Sequence, residues 1–185
     1  MVAEGTRLES LQAIESAVWA ELQAAPRHKG HPWRVGVLAT VDGEAADARS
    51  VVLRDLDLPR RTLLIYADSR SPKAAQLKAH PMGTLVLWSP GLSWQLRLRV
   101  SLSLQTTGLK VSSRWAQLKM TPGAQDYLSP LPPGTRVDRP HPERGSREHF
   151  GVVSAAITAI DWLELHAQGH RRARFDTQGA HWLTP

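Results

Sequence analysis

The hydrophobic and polar positions change period several times along the chain, and each change marks an element. From Thr6 to Ala25 the apolar residues Leu8, Leu11, Val18 and Leu22 recur near helical spacing, which predicts a helix with one buried stripe. Thr6-x-x-Glu9 has the form of a capping box at its start, and Pro26 follows its end, so residues 1–26 read as an N-terminal helical segment. Arg27–Trp33 breaks the period and reads as a basic loop. Strand spacing follows in Val35–Val41, a turn at Asp42-Gly43, and Ala48–Arg54, the pattern of a β-hairpin. A turn over 55–61, containing Pro59, leads to a third strand, Thr62–Ala67. Ser71-Pro72 opens a short helix to Ala79, because serine suits the N-cap and proline the first helical position; Pro81 ends it.

Thr84–Ser89 predicts a fourth strand and Pro90-Gly91 a turn. Trp94–Leu104 then alternates throughout, with Gln95, Arg97, Arg99, Ser101 and Ser103 on one face and Leu96, Leu98, Val100, Leu102 and Leu104 on the other. A helix is predicted from Ser112 or Ser113 to Met120. Residues 121–148 hold six prolines and few apolar positions, which predicts a long irregular segment: a cover over a site, or a mobile loop. Val152–Leu165 returns to strand character, and His170–Phe175 with Ala180–Leu183 forms a last hairpin. The sum is a mostly β, α+β chain of six or seven antiparallel strands with flanking helices, in a barrel or sandwich. No boundary signal divides it, so residues 1–185 are expected to form a single domain.

Composition narrows the function classes. The chain is 42% hydrophobic, as a globular core requires, yet no apolar run approaches the length of a membrane span. Glu4, Arg7 and Glu9 leave no apolar stretch for a signal peptide, so a cytoplasmic location is expected. The absence of cysteine excludes disulfides and thiolate chemistry. The net charge of +6 favours anionic partners, a phosphorylated ligand or nucleic acid. The basic residues are scattered apart from Arg60-Arg61 and His170–Arg174, so nucleic acid is the lesser expectation. His28-x-x-His31 lies in a loop with no carboxylate close in sequence, and no metal site is expected. No Gly-rich dinucleotide or P-loop signature, nucleophile elbow or zinc-protease motif is present. The seven tryptophans read as packing residues.

Three patterns carry chemistry. In Ser71-Pro72-Lys73 a helix start meets a lysine in the first turn; a cation there opposes the helix dipole unless an anion is bound. Arg49 and Arg54 bracket the apolar strand Ser50-Val51-Val52-Leu53 and can serve a phosphate as guanidinium donors. Gln95, Arg97 and Arg99 form one polar wall, and His170, Arg172 and Arg174 another. Each also has a plain alternative as solvated surface.

In order and spacing these pieces resemble the pyridoxamine 5'-phosphate oxidase superfamily. The text that carries the likeness is Arg49-Ser-Val-Val-Leu-Arg54, Leu64-Ile-Tyr66-Ala-Asp-Ser-Arg-Ser71-Pro-Lys73, Trp94-Gln95 opening a long strand, and His170-Arg-Arg-Ala-Arg174-Phe175, over roughly residues 33–105 and 149–185. The leading helix, the Arg70-Ser71-x-Lys73 neighbourhood and Pro132-Pro133-Gly134 resemble the flavin-binding relatives more than the vitamin-pathway enzyme. The resemblance implies an FMN-binding split β-barrel working as a homodimer with FMN at the interface. Arg49, Ser71 and Lys73 would hold the phosphate; Val51, Val52, Tyr66 and Ala67 would pack beside the ribityl chain or ring. Gln95 would reach in from the other subunit, and Arg174 would approach the isoalloxazine. Arg54 would stand near flavin and substrate, and with His170 and Arg172 is a catalytic candidate. The chain departs from the oxidase pattern at Pro72, where the oxidase has arginine, and in lacking both the flavin-side tryptophan around Leu163–His166 and a recognisable substrate-phosphate motif in 105–148. The expected activity is that of an FMN-dependent oxidoreductase acting on a small substrate, and these departures count against the vitamin phosphates as that substrate. Alternatives are a non-catalytic FMN-storing or -sensing protein, a basic β-barrel nucleic-acid binder, and a haem-handling split barrel.

Overall fold

A computed structural model describes residues 7–139, 145 and 149–185. Eight strands, β1 (Val35–Asp42), β2 (Ala45–Asp57), β3 (Thr62–Asp68), β4 (Met82–Ser89), β5 (Trp94–Gln105), β6 (Phe150–Glu164), β7 (Arg171–Asp176) and β8 (Gly179–Leu183), form one antiparallel sheet in the order β3-β2-β1-β4-β5-β6-β7-β8. Because β6 also pairs with β3, six of these strands close into a barrel, and β7 and β8 extend from it. The count exceeds the expected six or seven because the terminal hairpin contributes two full strands.

Closure depends on β6 serving two neighbours. Its first half, Phe150–Ala156, pairs with β3, and its second half, Ile160–Glu164, pairs with β7, while β5 lies along both. The register with β5 slips at Thr158, an extra residue whose hydroxyl donates to Arg99 O at 3.2 Å. Such a bulge bends the strand between its two partners.

The alternation expected for β5 is present: Leu96, Leu98, Val100 and Leu102 are buried in the barrel core with Leu38, Leu53, Leu63, Ile65, Leu85 and Leu87. Helix α1 (Leu11–Ala24) adds Ile14, Val18 and Leu22 to this core. It starts later than the sequence suggests. Ser10, not Thr6, is the N-cap, its Oγ accepting from Ala13 N at 3.1 Å; Thr6 lies outside the described residues. The segment after it is not purely loop, since Pro32–Arg34 forms a turn of 3₁₀-helix with Trp33 fully buried. His31 also has a carboxylate beside it, Glu21 Oε2 at 2.8 Å from Nε2, contributed from the helix rather than the loop.

A second apolar cluster covers the outer face of β3 and the start of β6. Helix α3 (Leu109–Leu118) supplies Val111, Trp115 and Leu118, and a 3₁₀ segment, Pro122–Tyr127, supplies Ala124 and Tyr127, against Leu64, Phe150 and Val152. Helix α3 thus begins three residues before Ser112, and 121–148 is not wholly irregular. The expected mobile loop or cover over 128–148 is described only for 128–139 and 145. Among the described residues the outer faces of β1 and β4 carry no such cover: Val35, Val37, Met82 and Trp88 are all exposed, and Val37 pairs with Val86 across the two strands.

Candidate functional site

Of the residues singled out on β2, β3 and the following turn, Val51, Val52, Arg54, Tyr66, Ala67 and Lys73 converge on one cleft, while Arg49 and Ser71 do not line it. Ser50, Val51, Val52, Arg54, Tyr66, Ala67, Asp68 and Lys73 line it, with Asp126, Tyr127 and Pro133 closing one side; its volume is about 210 Å³. The β2 register explains the approach of Arg54. Leu53 pairs with Ile65 and Asp55 with Leu64, so Arg54 is an inserted residue. The bulge turns its guanidinium over the Tyr66 ring, 5.3 Å from the centroid. Its Nε is buried without a hydrogen-bond partner among the described residues. Burial raises the pKa of both Tyr66 and Tyr127 above the usual phenol value, outweighing the arginines beside them.

Helix α2 (Pro72–Ala79) starts at the cleft with Pro72 at its first position. Ser71 occupies the N-cap but does not cap with its side chain: the hydroxyl donates back to Asp68 O at 2.6 Å. Lys73 makes no salt bridge among the described residues. Burial, and secondarily the Arg49 cation, push its pKa below the usual lysine value despite Asp68. Arg49 stands behind it in a dense network. Nη1 donates to Leu38 O at 3.2 Å and Thr40 Oγ1 at 2.5 Å; Nη2 donates to Gln76 Oε1 at 2.8 Å and to Asp47 Oδ2. Both prongs of its fork are engaged, so in this arrangement Arg49 bears on the cleft through its charge.

The other candidates lie elsewhere. Arg97, Arg99, Arg172 and Arg174 line a second cavity of about 270 Å³ with Thr84, Ala159 and Asp161. Asp161 takes Arg97 Nη2 at 2.7 Å and Arg172 Nε and Nη2 at 3.1 and 2.7 Å; Arg174 Nε donates to Asp176 at 2.6 Å. Although burial opposes ionisation, the bonds from Arg172 and Arg97 hold the Asp161 carboxyl below the usual range. The basic sheet face around Arg97 and Arg99 therefore also carries two carboxylates, Asp161 on β6 and Asp176 on β7. Gln95 lies on the same strand, opposite Trp88 and Leu163, and lines neither cavity. His170 is exposed in the β6–β7 turn, its Nδ1 accepting from His166 N at 3.1 Å, and it too lines neither cavity. Within one protomer the structure unites Val51, Val52, Arg54, Tyr66, Ala67 and Lys73, and separates them from Gln95, His170, Arg172 and Arg174. No group of acidic, histidine or cysteine side chains suited to a metal occurs among the described residues.

Comparison with known proteins bears on this geometry. Residues 15–106, which span the cleft strands and α2, match the family model described as pyridoxamine 5'-phosphate oxidase, FMN-binding domain. The chain belongs to this family of FMN-binding domains. It is 26% identical to the pyridoxine/pyridoxamine 5'-phosphate oxidase of Caulobacter vibrioides over 183 residues, covering 91% of this chain and 82% of that one. In fold it is similar to a pyridoxamine 5'-phosphate oxidase-related, FMN-binding protein of Nostoc punctiforme, with a TM-score of 0.70, 20% identity, and coverage of 97% of this chain and 100% of the other. It is also similar to PhzG of Burkholderia lata, solved with tetrahydrophenazine-1-carboxylic acid, with a TM-score of 0.72, 15% identity, and coverage of 100% and 98%.

The residues of this FMN-binding domain fit the cofactor. A partly buried, unpaired ammonium at a helix start suits a phosphate; Val51, Val52, Ala67 and Tyr66 offer a largely apolar wall, and the orphaned Nε of Arg54 offers a donor. Bound FMN supplies the redox chemistry, since its ring accepts and releases electrons that no side chain here can carry. Asp68, Asp126, Tyr127, Pro133 and Asp161 were not legible as site residues. Asp68 lies inside the Leu64–Lys73 motif with no pattern to single it out, Asp161 sits in a strand outside the motifs, and Asp126, Tyr127 and Pro133 belong to a segment without period. Only Pro132-Pro133-Gly134 gave a local signal there.

Proposed function

We propose that the protein is a cytoplasmic FMN-dependent oxidoreductase that works as a homodimer on a small substrate. Each FMN would lie between the Lys73 cleft of one protomer and the Gln95, Arg172 and Arg174 face of the other. The observation that carries this reading is the unpaired Lys73 ammonium in a cleft of about 210 Å³, smaller than the roughly 300 Å³ or more usual for a complete cofactor pocket. The uncovered apolar faces of β1 and β4 support a second copy as the missing wall. Arg54 and Arg174 are the cations available to favour the anionic reduced ring. The likeness to the Caulobacter oxidase supports an oxidase-type reaction, while Pro72 and the missing substrate-phosphate motif argue for a different substrate.

Titrating apoprotein with FMN tests the cofactor reading directly. Quenched flavin fluorescence and a shifted flavin spectrum at one FMN per chain are expected; no change on mixing would end it. The dimer is tested with Val37→Asp, which puts a charge at an exposed site, 43% accessible, facing Val86. Light scattering should show the mass halved, and FMN affinity should fall at least about tenfold as half the pocket is lost. A wild-type protein already monomeric and fully FMN-loaded refutes the shared site.

One observation favours a second reading, FMN binding without turnover. Asp161 occupies both Arg97 and Arg172, leaving that cavity less free charge for a substrate than its arginine count suggests. Stoichiometric FMN with no flavin reduction or reoxidation by any of a broad panel of small donors and acceptors supports it.

A further inference from the structure

The segment 128–134 contributes Pro133 to the cleft lining yet, among the described residues, has little structure of its own. Its internal bonds are one from Leu131 N to Ser129 Oγ at 3.3 Å, one from Ser129 Oγ to Leu131 O at 3.0 Å, and those from Thr135 N and Oγ1 to Pro132 O at 3.2 and 2.7 Å. Leu131 is 44% exposed, and of the segment only Leu128 packs against an apolar cluster. Among the described residues, Gln125 O and Gly145 N hold Leu128 through its backbone, and residues 129–131 are tied down by Arg70. Nη1 donates to Pro130 O at 2.8 Å, and Nη2 to Ser129 O at 2.9 Å and Leu131 O at 3.3 Å. The other side of the same guanidinium is held by Asp68, which accepts from Nε at 3.0 Å and Nη2 at 2.6 Å and is itself buried in the cleft wall. Burial pushes the Asp68 carboxyl up, but the Arg70 side-chain and backbone bonds outweigh it and keep it ionised. One planar fork thus joins the end of β3 to three successive carbonyls of the strap, which a lysine's single ammonium cannot do. The strap then carries Pro133 into the cleft wall with Lys73 and sets Gly134 beside Pro72.

We infer that Arg70 is a positioning residue for the cofactor: it latches segment 129–133 as the wall beside Lys73, and the latch sets how long FMN stays bound. This rests on the FMN reading above. Arg70 is not part of the apolar barrel core, so its loss leaves the barrel in place, but it strips the buried Asp68 carboxylate of its partner and lowers stability. FMN still enters, because Lys73 and Arg49 remain; it leaves faster, because one wall is loose.

The experiment compares wild type, Arg70→Ala and Arg70→Lys as full-length proteins. Three quantities are followed: FMN release by stopped-flow chase, the apoprotein melting temperature, and cleavage within 128–139 by a low dose of protease. The expected result for Arg70→Ala is release at least about tenfold faster, association within about twofold of wild type, a melting temperature lowered by about 4–8 °C as the buried Asp68 loses its partner, and new cleavage in the strap with and without FMN. Arg70→Lys, keeping the charge but not the fork, falls between. Release at the wild-type rate in Arg70→Ala overturns the inference. So does wild-type release in Arg70→Lys, whatever the melting temperature of Arg70→Ala, which makes Arg70 a structural residue only. Should wild type fail to bind FMN, the cofactor reading falls and takes this inference with it. Unbound wild type is thus told apart from a bound wild type whose release ignores Arg70.

Discussion

Replacing Lys73 by methionine is expected to stabilise the apoprotein and to weaken FMN binding at the same time. The two effects have one cause. Burial first, then the Arg49 cation, lowers the Lys73 pKa in the folded state below its ordinary 10.5. A cation whose folded pKa is depressed binds its proton more tightly when the chain is unfolded. Folding is therefore penalised below the folded pKa, neutral pH included, and the penalty is lifted as pH rises toward the unfolded value. Methionine keeps the stem and removes the charge. A gain of about 1 kcal/mol, or about 2–4 °C in melting temperature for a chain of this size, is expected, together with loss of the variant's stabilisation at alkaline pH. An FMN phosphate neutralises the same ammonium in the wild type, and losing that charge-assisted contact should weaken binding by about 10- to 100-fold. Calorimetric melting of apoprotein and FMN titration of both proteins measure the pair. A less stable apoprotein with unchanged FMN affinity would show that Lys73 is a solvated surface lysine and the phosphate lies elsewhere.

The largest stability effect is expected far from that cleft, at Glu164. This buried carboxylate accepts from Arg7 Nε at 2.8 Å, from Arg171 Nε and Nη2 at 2.9 and 3.1 Å, and from Trp94 Nε1 at 3.4 Å. Its two arginines reach on to the chain ends they fasten: Arg7 to Gly169 O at 2.7 Å, Arg171 to Leu8 O at 2.8 Å, with Arg171 also over the Trp162 and Trp182 rings. Glu164→Ala leaves both guanidinium groups facing an emptied, partly buried site. A loss of about 3 kcal/mol is expected, since removing one partner of a buried pair costs far more than the pair itself contributes. That corresponds to a fall of about 6–12 °C in melting temperature. Burial alone would raise the Glu164 pKa, but Arg171 and Arg7 outweigh it and the folded value lies below the ordinary 4.5. Its contribution is therefore complete above the unfolded value and lost as acid titrates the folded carboxylate. Glu164→Gln, which keeps the shape, should lack this acid-dependent loss. If Glu164→Ala melts within about 1 °C of wild type, the network is decorative.

How much of this was legible in sequence follows from how far each feature depends on neighbours in the chain. The strict alternation of Leu96, Leu98, Val100 and Leu102 made β5 readable, because one face of that strand is core along its whole length. The convergence of Val51, Tyr66 and Lys73 was reachable only through motif order. Nothing in residues 48–54 announces that β2 slips at Arg54, since a bulge is decided by the pairing of Leu53 and Asp55 with Ile65 and Leu64. Tyr127 was invisible for a similar reason: it belongs to no periodic run and is buried only because Tyr66 and Phe150 lie against it. Strand parity sets Arg171 on the face opposite Arg172 and Arg174. Its buried carboxylate partner, Glu164, stands seven residues away across a turn, where no periodic pattern links the two. Asp161 and Asp68 show the limit most clearly, as each gains its meaning from the guanidinium it neutralises.

The double pairing of β6 also governs how the chain is made. Until Phe150 and its successors have left the ribosome, β1 to β5 can form only an open sheet with two bare margins, the free sides of β3 and β5. Those margins and the leucines between them stay available to other nascent chains through the synthesis of α3 and the proline-rich stretch. A single late strand then satisfies both at once, so this protein gains its barrel in one terminal step rather than by gradual addition.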